Sequence, residues 1–177
     1  QAVIVQTEQV GDRYCYGEGW GGLALVEALS DLGEAALRAC TEAISALQAV
    51  RAEVGCLPIR CTEAYLIAEQ GDLSGAEQSF AAILRDACAV LYVAPVVCSI
   101  AGMAWIISHN GDDVAAARLL GADDGVTRRF QLRPTLLHAL LRERVADRLG
   151  ARRDLHELRL QAELRTRSQL PRIAFTT

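Results

Sequence analysis

The chain has 177 residues, 51% of them hydrophobic and only 5% aromatic, with four Pro and 18 basic residues that are all Arg. Its net charge of −4 divides into −10 over residues 1–117 (5 Arg against 15 Asp and Glu) and +6 over residues 118–177 (13 Arg against 7). An apolar mass of Ala, Leu, Val and Ile favours helices over strands, the lack of Lys excludes a G-x-x-x-x-G-K-[ST] phosphate loop, and six Cys without a C-x-x-C pair argue against a disulfide framework and for a reducing, cytoplasmic setting.

Residues 1–19 show no helical periodicity and are expected to form an irregular lead-in. Within and beyond them "YGEGWGG", Tyr16 to Gly22, could form an anion-binding turn before a helix, but it has the spacing of no phosphate loop and reads rather as a flexible entry segment. The first residue is Gln and no charged-then-apolar leader is present, so the chain is expected to be a piece of a longer protein. From residue 20 to residue 130 helices in pairs are expected. In the first pair Ser30, Asp31 and Gly33 supply turn chemistry, and a long helix follows from about Glu34 to Ala52.

The next two pairs are copies of one another. Ala64–Ala76 laid over Ala104–Ala116 matches at Ala64/Ala104, Ile67/Ile107, Gly71/Gly111, Asp72/Asp112 and Ala76/Ala116, an offset of forty residues. Each Gly follows an apolar-periodic segment, where a left-handed residue ends a helix at little cost. Each Asp then suits the N-cap of the following helix. The paired alanines allow two helices to approach, and Phe80 and Leu120 fill the wider gap one turn on. Units of helix, Gly-Asp turn and helix at this period build α-solenoids, each unit burying its face on the next.

Between the copies, Ala87 to Ser108 is a run of 22 residues without a charge. Its length would cross a bilayer, but Pro95 divides it and its second half keeps the repeat register, so a buried helix is expected and no membrane. Residues 131–177 change character. Pro134 to Gly150 reads as a helix with Leu137, Leu141, Val145 and Leu149 on one side. Asp154 and Glu157 have capping-box spacing for a last helix that Pro171 ends. These Arg-rich helices are expected to cap the stack.

"GDLSGAEQSFAAILRDA", "GDDVAAARLLGADDGVTRRF" and "LLRERVADRLG" resemble the tetratricopeptide-like C-terminal helical region of bacterial LuxR- and SARP-type transcriptional regulators and related signal-transduction ATPases. The stretch carried by Gly111, Asp112, Ala116, Ala117, Arg118, Leu119, Leu120, Gly121 and Ala122 is its most distinctive part. The resemblance implies an all-α tetratricopeptide-like solenoid that binds a ligand, a protein or a peptide and controls an effector domain elsewhere in the same chain. It also suggests a faint helix-turn-helix likeness in "VADRLGARRDL" and "RTRSQL", which raises a DNA-binding alternative through Arg144, Arg148, Arg152 and Arg153.

In such arrays the first helix of each pair lines the groove. The register therefore nominates Cys61, Tyr65, Glu69, Trp105, Ser108 and His109 as a ligand or peptide groove, Tyr65 and Trp105 being equivalent positions. Packing of both aromatics against neighbouring helices is the competing reading. "HNGDD" places His109, Asp112 and Asp113 close in sequence, but capping accounts for Asp112, and no metal, cofactor or catalytic residue is expected. DNA contact is expected only through a neighbouring domain or the basic tail. A solenoid face left uncovered would favour a homodimer.

Overall fold

Gly71 and Gly111 adopt φ of +94° and +87°, a region that costs other residues dearly. At the first turn Gly71 N–H donates to the Ala68 carbonyl and Asp72 N–H to that of Ile67; at the second, Gly111 and Asp112 donate to Ser108 and Ile107. These paired bonds satisfy carbonyls that the helix ends would otherwise leave unpartnered. The Asp72 carboxylate then accepts from Gly75 N–H at 2.8 Å and that of Asp112 from Ala115 N–H at 2.9 Å, opening the next helices. The turn chemistry expected of both copies is present in full.

The computed structural model describes residues 2–30, 33–150 and 153–169, with the Arg153 side chain left out. They form α1 (Ala2–Val10), α2 (Arg13–Ala28), α3 (Gly33–Ala49), a 3-10 turn (Glu53–Gly55), α4 (Cys56–Glu69), α5 (Leu73–Ala89), α6 (Val93–His109), α7 (Asp113–Arg129), α8 (Leu136–Leu149) and α9 (Arg153–Gln169), with no strand among the described residues. Asp31, Arg152 and Pro171, each assigned a place from the sequence, lie outside them.

A finer period runs beneath the forty-residue one. Arg51, Leu91 and Gln131 have φ of +57°, +55° and +51°, and each is followed by an N–H that donates back to the carbonyl five residues earlier. With Gly71 and Gly111 they place a left-handed residue at 51, 71, 91, 111 and 131, one every twenty residues. Burial follows the same register. Residues 61–70 and 101–110 agree in burial class at every position, and 71–80 and 111–120 differ only where Glu77 is exposed and Ala117 is buried. Ala64, Ala76, Ala104 and Ala116 are all fully buried, as are Phe80 and Leu120.

The expectation of an irregular lead-in is corrected. Residues 2–10 are α1, Gly11 turns at φ +72°, and Asp12 caps α2 by accepting from Cys15 N–H at 3.0 Å. The Gly-Asp turn thus occurs a third time, unrecognised in the sequence because four glycines follow it. Glycine disfavours a helix interior by about 1 kcal/mol per residue relative to Ala, and packing offsets that cost. A Cβ on Gly17 would stand 2.7 Å from Leu47, one on Gly21 2.9 Å from Ile59, and one on Gly19 3.1 Å from Ile4. The segment read as flexible is a helix thinned so that neighbours can approach.

The chain divides into two compact units at Ser99/Ile100, inside α6. In the first, α2 packs on α3, and α4 packs on both α3 and α5. In the second, α7 packs on α9. There Gly121 and Gly125 form a small-x-x-x-small face: an added Cβ at 121 would strike the Arg159 backbone carbonyl, and one at 125 would stand 2.8 Å from Thr166. Pro95 sits in the first turn of α6, where its missing N–H is no loss, so the charge-free run is divided by the turn at Leu91 instead. None of the described helices is long and apolar enough to cross a membrane.

Candidate functional site

The first unit contains a cleft of about 570 Å³ between α2, the 3-10 turn, α4 and the residue preceding α6. Its apolar lining comes from Leu25, Val54, Pro58 and Ile59, and its polar lining from Tyr14, Glu18, Thr62 and Tyr92. This size and mix fit a small ligand. Gly21 and Gly22 of the thinned helix border it as well. Gly21 is explained by Ile59, but a Cβ on Gly22 would meet nothing within 4 Å, so packing does not explain the bare backbone there.

The cleft's electrostatics are one-sided. Among the described residues no Arg or His lines it. The Glu18 carboxylate lies beside Gly55, with Oε1 3.5 Å from where a Cβ would stand. Burial raises the Tyr92 phenol above its ordinary range, and Glu18, Tyr14 and Cys61 add to the effect. Residues 1–99 around the cleft carry 5 Arg against 13 Asp and Glu, a net of −8.

The second unit holds a buried charge network that sequence reasoning missed. In α7, "GADDG" sets Asp123 and Asp124 between the two packing glycines, at 0% and 7% exposure. His138, itself 1% exposed, directs Nε2 at both Asp123 oxygens, 2.9 and 3.1 Å away, and Arg142 Nη1 donates to the same carboxylate. Arg142 Nη2 reaches Asp124 at 2.5 Å, and Arg159 clasps Asp124 through Nε and Nη2 at 2.5 and 3.0 Å. Burial alone would raise the Asp124 carboxyl, but the hydrogen bonds and charges of Arg159 and Arg142 outweigh it and hold the group below its ordinary value. Further along α9, buried Glu163 accepts from Arg128 at 2.7 Å and pairs with Arg167 at 3.6 Å. The available signal was the spacing of Arg142 and Arg159 from an acid pair on an otherwise small-residue face; no local motif carries it.

The nominated groove residues separate by unit. Cys61 and Tyr65 are buried in the first, with Cys61 Sγ 4.0 Å from Ser99 Oγ, and Glu69 is exposed at the end of α4. Trp105 and Ser108 are buried in the second, and His109 is exposed. Within the second unit the nominated groove and basic residues meet. Arg144 stacks over Trp105 at 5.2 Å, His109 sits edge-on to the same ring at 5.5 Å, and Arg148 donates to the Ser108 and His109 carbonyls at 2.6 and 3.4 Å. Among the described residues no group of His, Cys, Asp and Glu could hold a metal ion.

A comparison with protein-family models, with curated proteins and with solved structures gives no match for the chain.

Proposed function

We propose that this chain is a ligand- or partner-binding domain of the α-solenoid type, in which tetratricopeptide-like hairpins form a regulatory arm for an effector domain of a larger bacterial transcriptional regulator. The observation that carries the reading is the recurrence of turn geometry and burial at forty residues, with left-handed residues every twenty. Such regularity serves a scaffold that presents surface, since each unit repeats the same packing and leaves sequence free elsewhere.

The polar groups support binding over reaction. The Asp123–His138 pair is sealed from solvent, and Arg142 occupies the same carboxylate, so a substrate has no approach to the imidazole. In the open cleft Glu18 has two phenols and Thr62 for neighbours, without a base–nucleophile pair. Binding would act on the effector by favouring one packing of the repeats over another.

Reading the gene upstream of the Gln1 codon tests the proposal. A P-loop NTPase, a cyclase or a DNA-binding domain in frame is the expected result. A start codon or a processed leader immediately before Gln1 would overturn the regulatory-arm reading.

A further inference from the structure

We propose that the cleft of the first unit binds a small organic cation, a molecule joining one ammonium group to an apolar body. The inference rests on the ligand-binding reading above and names the ligand's chemistry.

Four independent features of the cleft converge on this class. Among the described residues its lining carries one carboxylate, Glu18, and no cation, inside a unit of net charge −8. Two phenol rings, Tyr14 and Tyr92, stand with that carboxylate, and aromatic faces attract ammonium groups through their quadrupole. In the same lining Leu25, Val54, Pro58 and Ile59 offer apolar surface for a substituent. Finally, Gly22 leaves helix backbone bare on the cleft although no atom of the described residues lies within 4 Å of where its Cβ would stand. An occupant that approaches the backbone there accounts for it.

The charge must come from the ligand because the protein does not supply it. Arg60 and Arg13 are engaged elsewhere, Arg60 with Asp86 at 2.8 Å and Arg13 over Tyr16 at 5.9 Å, and Arg51, which precedes the lining residue Ala52, is not itself part of the lining. An anionic ligand would face Glu18 without a counter-charge. A neutral one would leave that carboxylate partly desolvated and unpaired, which is unfavourable. An ammonium group answers both, and the volume of about 570 Å³ has room for a phenyl- or alkyl-bearing amine.

Isothermal titration of the full chain with two matched pairs tests this. Phenethylamine is compared with 2-phenylethanol, and choline with 3,3-dimethylbutanol; each neutral partner keeps the shape and lacks the charge. At least one cation is expected to bind at a single site about tenfold tighter than its neutral partner. The first pair winning identifies a primary ammonium, and the second a quaternary one. Glu18→Gln should weaken the preferred cation about tenfold, while Glu77→Gln, the same charge change at an exposed position on α5, should leave it unchanged. Tyr14→Leu and Tyr92→Leu should each weaken it severalfold, with helicity by circular dichroism verifying the fold of every variant. Equal binding within both pairs, equal effects of Glu18→Gln and Glu77→Gln, or no binding of either cation at 10 mM (about 2.7 kcal/mol of affinity) overturns the proposal. The gene-context result stands apart from all of these outcomes.

Discussion

Asp124 shows how a charge is kept in a helix interior. Burial opposes its ionisation, and two guanidiniums more than restore it. Its folded pKa is lowered, so the stability it contributes is present above the unfolded value of about 3.9 and is lost as pH falls through the folded value. Asp124→Asn should therefore destabilise the protein by about 2 kcal/mol at pH 7, and the difference from the parent should shrink towards pH 3, as measured by urea unfolding at both pH values. Cysteines supply the opposite case. Cys15 and Cys88 are exposed, whereas Cys40, Cys56, Cys61 and Cys98 are buried, and burial with a smaller push from Glu63 raises the Cys40 thiol to about 12. Titration of the native protein with a disulfide reagent near pH 8 should count two fast thiols, and six in guanidinium chloride. Cys88 should react ahead of Cys15, whose thiol is raised by the Asp12 side chain.

At the level of the helix, the same residue type serves opposed ends. Gly121 sits where α9 comes so close that a methyl group would strike the Arg159 carbonyl, whereas Gly22 faces open space. Gly121→Ala should cost about 3 kcal/mol, and Gly22→Ala should gain up to about 1 kcal/mol from helix propensity, both read from thermal and urea unfolding. The left-handed turns make a companion prediction. Leu91 holds φ +55° with its side chain 80% exposed, so Leu91→Gly removes strain without losing packing. A gain of about 0.5–1 kcal/mol is expected from urea unfolding. Much of this level was legible beforehand: Gly71, Asp72, Gly111 and Asp112 announce their turns because the chemistry is local. Gly11 and Asp12 escaped notice because Gly17, Gly19 and Gly21 mask the helix after them, and the reason those glycines are tolerated lies in Leu47, Ile4 and Ile59, residues distant in sequence. Arg51, Leu91 and Gln131 were equally hidden, since non-glycine residues carry no sign of a left-handed turn.

For the whole molecule, the charge asymmetry takes on a different meaning once the contacts are known. Of the arginines in residues 118–177, Arg128, Arg142, Arg159 and Arg167 pair with buried acids, Arg144 covers Trp105, and Arg148 caps the end of α6. Net charge counted along a sequence registers none of this. Replacing Arg144 and Arg148 by Ala should lower the melting temperature by a few degrees. Duplex DNA affinity, followed by fluorescence anisotropy at 50 and 200 mM salt, should stay unchanged if these residues serve the fold; a loss of steep salt dependence would favour the nucleic-acid alternative. The cleft was the least legible feature of all. Tyr14 and Glu18 come from the stretch expected to be an irregular lead-in, and Thr62 and Tyr92 join them only through folding.

The constant spacing of the left-handed residues also bears on inheritance. Because a turn recurs every twenty residues from 51 to 131, a copied block of 120 nucleotides would carry one full unit whichever codon it began with. Breakpoints would need no alignment with helix boundaries, since the reading frame and the order of turns both close on themselves. A chain with this periodicity can lengthen or shorten by whole units through unequal recombination, whereas a single inserted codon inside a helix would rotate every following side chain by about 100°.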